Sequence, residues 1–385
     1  MCNIWKNYFF KILIESNIIM SGKDLHDKPF DQGTLTKLVI FEKYTQAWIP
    51  VFTLSKGEKI FIVDFFAGTG YDMNGVPGSP IRILSKILDF ADLLLKNRTK
   101  VHLHLNEYKK GKCSSLEKAC SQFINKHPIL FKVLEIEYTS LEFEESFKRE
   151  YPLIKNLPSL VFLDQNGVKF LTSHYLNALE STKTTDFLYF VSSSYLKRFN
   201  ETPEFKKLGF DFEVIRKNPY RFIHESLLEI IRGWLPSSTS LKLYPFTIKK
   251  TSGIYGLVFG ASHPAAVVKF LEIVWKQNAL NGSANFDIQD DLQKAQTSLF
   301  EPKKLTKKEY FQEELKKEVL AGRILSNYSA FFFCIEKGHI PSHAREVLEK
   351  LKKSKLVDYP GSSPLISYDK VCKEKVILEY VLKKR

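Results

Sequence analysis

One short segment constrains the fold of this chain more than any other part of its sequence. Residues 60–64 form the apolar run Ile-Phe-Ile-Val closed by Asp64, and residues 65–70 continue as Phe-Phe-Ala-Gly-Thr-Gly. Small residues in such a turn let the backbone approach a ligand at the carboxyl end of a strand. The segment predicts a buried strand that opens a Rossmann-like domain. The alternative is a glycine-rich turn that binds no ligand.

Apolar runs alternate with helical segments on both sides of this turn. Apolar side chains at helical spacing predict a helix that begins near Leu35 and leads into the first strand, 60–65. Alternating strands and helices indicate an α/β fold with a parallel sheet. The turn-rich link 249–253 predicts a terminal antiparallel hairpin. Further strands are predicted at 101–107, 131–137, 159–164, 186–192, 241–247 and 254–260.

The loop favours S-adenosylmethionine (SAM) over a dinucleotide as its ligand. A dinucleotide fingerprint needs a third glycine where this chain has Met73. SAM carries no pyrophosphate, so the pattern Asp-x-Phe-x-Gly-x-Gly fits it better. The second strand ends at Glu107, whose carboxylate would accept hydrogen bonds from ribose hydroxyls. The predicted cofactor-binding residues are Asp64, Phe65, Ala67, Gly68, Gly70 and Glu107.

The spacing to Glu107 is long for this role. A ribose-binding acid is expected about 20 residues after the glycine loop, so the irregular sequence 72–80 must act as an insertion. The alternative is an ordinary exposed acid. The fourth strand also ends in an acid, Asp164, our candidate catalytic residue. An acid at such a turn otherwise serves as a helix cap.

The C-terminal part reads as a separate unit. Polar sequence from 278 to 308 predicts a linker with a boundary near 300, and a capping box at Thr306 then opens a helix. Helices at 327–337 and 341–353, and a hairpin pairing 355–359 with 365–368, complete the order of a winged helix-turn-helix. The predicted units are 1–27, an extension or a misassigned start; 28–300, the methyltransferase-like domain; and 301–385, the winged helix-turn-helix domain.

Positive charge is concentrated in this last unit. Residues 301–385 carry a net charge of +7, half of the chain's +14, which favours a polyanionic partner such as DNA or RNA. The alternatives are a solvated helix face or a protein-binding winged helix. Basic residues on or beside the third helix are the candidate nucleic-acid contacts: His343, Arg345, Lys350, Lys352 and Lys353.

The remaining composition argues against other classes. Five scattered cysteines without a CxxC pair suggest neither disulfides nor zinc, and fit a reducing cytoplasm. The histidines His102 and His104 alternate on a strand, where packed or exposed side chains are commoner than ligands, so no metal is expected. No apolar run of 18 residues occurs, so no membrane partner is expected.

Several motifs together resemble the bacterial three-Cys-motif partner proteins, from about residue 28 to the end. The resemblance implies a methyltransferase-like fold with an appended winged helix, paired genetically with a radical-SAM-type protein that bears a three-cysteine motif. The family tends to have Asp-Pro, an aromatic and Gly where this chain has Asp-Gln-Asn-Gly at 164–167. The motifs are Phe30-Asp31, Thr34–Leu38, Asp64–Gly70, Gly78-Ser79-Pro80, Phe162–Gly167 and Gly338–Ala344.

The leading hypothesis is a SAM-dependent methyltransferase that acts on nucleic acid or on the product of a radical-SAM-type partner enzyme. Gly68 and Gly70 would admit the methionine moiety, and an acceptor near Asp164 would take the methyl group. The alternative is a non-catalytic adaptor with a SAM fold, which recruits its partner to DNA or RNA through the winged helix. A nuclease is disfavoured because the sequence has no clustered acids for divalent metals.

Overall fold

A mixed sheet of seven strands organises the chain. The computed structural model describes residues 29–55, 58–165, 168–182, 184–192, 219–250, 253–295 and 304–383, so the predicted extension 1–27 lies outside it. The strands in chain order are β1 Lys59–Asp64, β2 Lys100–Asn106, β3 Leu134–Thr139, β4 Ser159–Leu163, β5 Thr185–Ser192, β6 Lys242–Lys250 and β7 Gly253–Ala261.

The order of these strands defines the fold class. It runs β3-β2-β1-β4-β5-β7-β6. Neighbouring strands among the first five of this order are parallel, and β7 is antiparallel to both β5 and β6. The predicted Rossmann-like methyltransferase sheet with a terminal antiparallel hairpin is therefore confirmed. Helices that accompany the sheet are α1 Gln32–Leu54, α2 Ser79–Asp89, α3 Ala91–Lys96, α4 Lys110–Lys126, α5 Leu130–Val133, α6 Phe143–Asn156, α7 Ser173–Glu180, α8 Ile223–Gly233, α9 Pro264–Gln277 and α10 Asp291–Ala295.

The central strand β1 is buried on both faces, which explains its unbroken apolar sequence. Ile60 and Ile62 join the core cluster on one side of the sheet, and Phe61 and Val63 join the cluster on the other side. The strand predicted at 131–137 begins later than expected. Its first residues form the short helix α5, because a helical turn buries Leu130 and Val133 together.

The C-terminal helices are α11 Lys307–Leu320, α12 Asn327–Glu336 and α13 Pro341–Lys353, followed by the paired strands β8 Val357–Asp358 and β9 Val381–Leu382. This confirms the predicted winged helix-turn-helix. The predicted return strand at 365–368 is wrong, because β8 pairs with β9 instead. Leu365 has a φ of 52°, a left-handed conformation that interrupts an extended strand.

The winged-helix unit packs directly on the sheet domain. Tyr244 Oη on β6 donates to the Ile335 carbonyl at 2.8 Å, and Trp275 Nε1 on α9 donates to the Gly338 carbonyl at 2.9 Å. Part of the predicted linker is also structured: the Thr247 amide on β6 donates to the Ser283 carbonyl at 2.7 Å, so this segment covers the sheet edge. The predicted boundary near 300 falls in 296–303, outside the described residues.

The long helix α1 crosses the sheet and is fixed to it by a buried hydrogen bond. Tyr44 Oη donates to Asp186 Oδ2 at 2.7 Å, and burial raises the pKa of Asp186 to about 7. None of the described helices, α1 included, combines the length and apolar character needed to cross a membrane.

The buried Asp186 predicts a pH-dependent stability. Because its folded pKa of about 7 exceeds the ordinary 3.8, the folded state loses stability as pH rises from about 4 to 7, by up to about 4 kcal/mol. Asp186→Asn should remove this loss, so the variant gains stability relative to wild type over that window. Denaturant unfolding at pH 4.5 and 7.5 measures the difference, and the exposed Asp92→Asn serves as control. An equal pH dependence in wild type and Asp186→Asn would contradict the prediction.

Candidate functional site

The glycine loop after β1 has the tight backbone that its sequence predicted. Gly68 and Gly70 have φ values of 68° and 90°, in the left-handed region that favours glycine. The Gly78 amide donates to the Gly70 carbonyl at 2.8 Å and closes the loop. A Cβ on Gly70 would lie 3.0 Å from the Cβ of Ala119 on α4. The loop is thus compact and packs close to a neighbouring helix.

Asp64 supports this loop from within the protein. Its side chain is buried, Oδ1 accepts from the Phe66 amide at 3.0 Å, and Oδ2 accepts from Ser79 Oγ at 2.7 Å. Burial raises the pKa of Asp64 to about 6, against the effect of these two hydrogen bonds. The carboxylate therefore joins the end of β1 to the beginning of α2.

Glu107 lies directly beside the loop despite its distance in sequence. The Gly68 amide donates to Glu107 Oε2 at 3.2 Å, and the Lys109 amide donates to Oε1 at 3.1 Å. The Ala67 amide donates to the Asn106 carbonyl at 3.0 Å, so the loop and the end of β2 form one surface. The intervening residues are taken up by the loop itself and by α2 and α3.

The predicted cofactor residues do not all face this surface. Asp64, Ala67, Gly68, Gly70 and Glu107 come together at the carboxyl ends of β1 and β2. The ring of Phe65 is 1% exposed and packs against the rings of α6 instead, at centroid distances of 5.3 Å and 5.7 Å. Its side chain therefore belongs to the core, and its backbone belongs to the loop.

Asp164 follows β4 at the same edge of the sheet and forms an ion pair with Lys37 of α1. The Lys37 ammonium also lies 4.4 Å above the centre of the Phe190 ring, and Lys250 Nζ lies 5.5 Å from it. Sequence reasoning did not single out these two lysines for the site, because only the packing of α1 and β6 brings them there. Asn166 and Gly167, which complete the predicted motif, lie outside the described residues.

The basic residues of α13 divide into three groups. Arg345, Lys350 and Lys353 are exposed. Lys352 donates to the carbonyls of residues 359 and 361 and so holds the wing against the helix. His343 is 6% exposed, because its ring packs on Trp275 at 4.5 Å between centroids. The structure therefore turns His343 towards the sheet domain, away from the exposed face.

Comparisons with known proteins agree with the winged-helix part of this architecture. A family model described as the GMT-like wHTH domain matches residues 286–364. No curated protein sequence matches the chain.

Two similar solved structures were both determined with bound SAM. Trm1 from Pyrococcus horikoshii is 10% identical over 63% of this chain and 58% of its own, with a TM-score of 0.34. The O-methyltransferase TomG from Streptomyces achromogenes, involved in tomaymycin synthesis, is 12% identical over 64% of this chain and 95% of its own, with a TM-score of 0.30. The chain thus spans less than two thirds of Trm1. Similarity at these levels transfers neither activity nor substrate.

The packing of the loop predicts different costs for two glycine substitutions. Gly70→Ala should lose about 1–2 kcal/mol of stability from its left-handed backbone, and more from the contact with Ala119. Gly75→Ala has a similar φ of 73° but nothing within 4 Å of the new Cβ, so it should lose only the backbone part. Thermal unfolding of both variants measures the difference. Equal losses would show that the loop does not press on α4.

Proposed function

We propose that the chain is a SAM-dependent methyltransferase, with SAM bound at the carboxyl ends of β1 and β2. The observation that carries this proposal is the hydrogen bond from the Gly68 amide to the Glu107 carboxylate. It joins the glycine loop to the acid at the end of β2, in the crevice where open α/β sheets bind their ligands.

The residues at this edge fit the chemistry of SAM. Each carboxylate oxygen of Glu107 accepts a hydrogen bond from one backbone amide and retains a lone pair. The two oxygens can therefore accept hydrogen bonds from both ribose hydroxyls. The backbone at Gly68 would lie against the methionine part, and Gly70 would let the loop turn tightly beneath it, because the side of Gly70 that lacks a Cβ packs on α4. Bound SAM supplies an electrophilic methyl group to a nucleophilic acceptor. The protein contributes by holding the two reactants in line and by excluding water.

Asp164 is the proposed positioning group for the acceptor. Its carboxylate lies at the end of β4, partly exposed, and retains acceptor capacity beside its ion pair with Lys37. A hydroxyl or amine of the acceptor can donate to it. Lys37 and Lys250 would at the same time give this side of the site a positive character, which suits an acceptor that carries negative charge.

A second candidate function has a specific observation in its favour. The Lys37 ammonium neutralises Asp164, and the Gln165 side chain accepts from the Phe170 amide at 2.8 Å rather than facing an acceptor. Both contacts suit a non-catalytic adaptor that binds SAM without using it. Conversion of SAM to S-adenosylhomocysteine distinguishes the two functions, because only the enzyme releases that product.

The proposed macromolecular partners are DNA or RNA, contacted by the exposed face of α13, and a radical-SAM-type protein with a three-cysteine motif. The matching winged-helix family and the exposed Arg345, Lys350 and Lys353 support the first. The second rests on the motif resemblance to three-Cys-motif partner proteins. The substrate would then be the nucleic acid itself or the product of that partner.

Glu107→Ala should weaken SAM binding by about 1–3 kcal/mol, because ribose hydroxyls lose a charged acceptor. This corresponds to a Kd about 5- to 150-fold higher. Calorimetric titration with SAM measures it, with Glu117→Ala on the exposed face of α4 as the matched control. Circular dichroism checks that the loop variant is folded. Unchanged affinity in a folded Glu107→Ala protein, or heat protection of wild type by NAD but not SAM, would refute the cofactor proposal.

Replacing Arg345, Lys350 and Lys353 with Ala should flatten the salt dependence of DNA binding. Each lost phosphate contact lowers the log–log slope by about 0.9, so three contacts lower it by about 2.7. The control replaces three exposed lysines of the sheet domain with Ala, so its net charge equals that of the α13 variant. These lysines are Lys96, Lys118 and Lys126. Electrophoretic mobility shifts over a range of salt concentrations measure both slopes. If the α13 variant keeps the wild-type slope, the winged helix binds protein rather than nucleic acid.

A further inference from the structure

A cluster of histidine and glutamate side chains lies on the face of the sheet that α6 covers. In the parallel register of β2 and β3, His102 is opposite Glu135 and His104 is opposite Glu137. The helix α6 adds Glu150, whose side chain is 3% exposed. Sequence reasoning had interpreted the two histidines as packed or exposed side chains. The structure instead places acids around them on two sides.

The distances within this cluster are short. His104 Nδ1 lies 3.3 Å from Glu150 Oε1 and 3.8 Å from Glu137 Oε2. One ligand atom from each of these three residues falls within 4.8 Å of the others. His102 Nε2 lies 4.0 Å from the same Glu137 oxygen. Three groups that can bind a metal thus converge on one point between β2, β3 and α6, and His102 lies beside them.

Hydrogen bonds on the far side of the imidazole determine which nitrogen of His104 carries its proton. Asn106 Nδ2 donates to the carbonyls of residues 65 and 141, so Asn106 Oδ1 is the acceptor for Thr139 Oγ1 at 2.8 Å. A hydroxyl has one hydrogen to donate. Thr139 Oγ1, 3.0 Å from His104 Nε2, therefore accepts the Nε2 hydrogen, and the lone pair of neutral His104 is at Nδ1.

This lone pair faces carboxylates inside the protein. His104 is fully buried, and its Nδ1 has no hydrogen-bond partner among the described residues. A lone pair and a carboxylate repel each other unless a cation or a proton lies between them. A bound cation at this point would therefore be stabilised by all three groups.

Arg149 takes the place of such a cation only in part. Its guanidinium contacts Glu137, and its Nε lies 3.2 Å from Glu150 Oε1, so it neutralises the carboxylates. Its N–H groups are directed at these carboxylates and not at His104 Nδ1, which has no hydrogen-bond partner among the described residues. The other charges at the cluster, Lys59 and Lys100, pair with Glu135 at its outer edge.

We propose that His104 Nδ1, Glu137 and Glu150 bind a Zn²⁺ ion, with Arg149 displaced towards solvent. Zinc takes one imidazole and carboxylate oxygens at about 2.0–2.2 Å, which separates ligand atoms by distances close to those observed. Metal-bound histidines usually donate their other ring N–H to an outer partner, and Thr139 is that partner here. The side chain of Glu137 is 38% exposed, so the ion has a path from solvent. The fourth position is open to water or to His102.

The site would also act on the cofactor loop. Thr139 is bonded to Asn106, and Asn106 Nδ2 donates to the Phe65 carbonyl while its own carbonyl accepts the Ala67 amide. An ion on His104 would therefore hold the base of the glycine loop through one continuous chain of hydrogen bonds. The zinc site does not depend on the proposed methyltransferase activity, because metal binding is its own readout.

The test is a zinc titration of the full chain after chelator treatment, by competition with a chromophoric chelator. The wild type should bind one zinc ion more than His104→Ala does. Both proteins have the same cysteines, so weak zinc binding by cysteines cancels in this comparison. Loss of the outer partner in Thr139→Val should weaken this site about 10- to 100-fold. Arg149→Ala should bind zinc more tightly, because the competing guanidinium is gone. His174→Ala, at an exposed histidine elsewhere, should match wild type.

Three outcomes would overturn the proposal. One is equal zinc stoichiometry and affinity in wild type and His104→Ala. Another is weaker zinc binding by Arg149→Ala, which would mean that Arg149 supports the cluster and does not compete with the metal ion. If His104→Ala does not fold by circular dichroism, Glu137→Gln replaces it, because this side chain is at the partly exposed edge. A folded Glu137→Gln protein with wild-type zinc affinity is the third outcome.

Discussion

The two hydrogen bonds to the buried carboxylate of Asp64 are the contacts on which the candidate site depends. They connect the last residue of β1 to the first turn of the glycine loop and to the first residue of α2. A buried carboxylate is costly unless it is hydrogen-bonded, so the loop and the helix must both be in place for Asp64 to be satisfied. The geometry of the loop is therefore coupled to the packing of the whole first βα unit, and through Gly68 to Glu107.

The other side of the site depends on a helix from outside the alternating pattern. The helix α1 brings Lys37 to Asp164, which is 127 residues away in sequence, and the same helix is fixed to β5 by the bond between Tyr44 and Asp186. A buried ammonium such as that of Lys37 is costly without a partner, and the partly exposed Asp164 supplies one. This pairing sets the charge that an acceptor would meet at the end of β4.

The contact between the sheet domain and the winged helix explains how α13 divides its basic residues. Trp275 on α9 binds the turn before α13 through its indole N–H and packs on His343 through its ring. One face of α13 is thereby buried against the sheet domain. Only the opposite face, with Arg345, Lys350 and Lys353, remains available to a partner. These hydrogen bonds and the apolar cluster that the two units share hold α13 against the sheet domain.

Local patterns in the sequence alone determined the parallel sheet, its terminal hairpin, the winged helix-turn-helix order, and the places of Gly68, Gly70 and Glu107, because periodicity and turn chemistry act over a few residues. Only the tertiary structure decided which face each side chain uses: Phe65 and His343 turn inward, and β8 pairs with β9 because Leu365 breaks the expected strand. It alone placed Lys37 on Asp164 and Glu150 beside His104. Such contacts join elements far apart in sequence, and their geometry follows from how helices pack on the sheet, which no local pattern encodes.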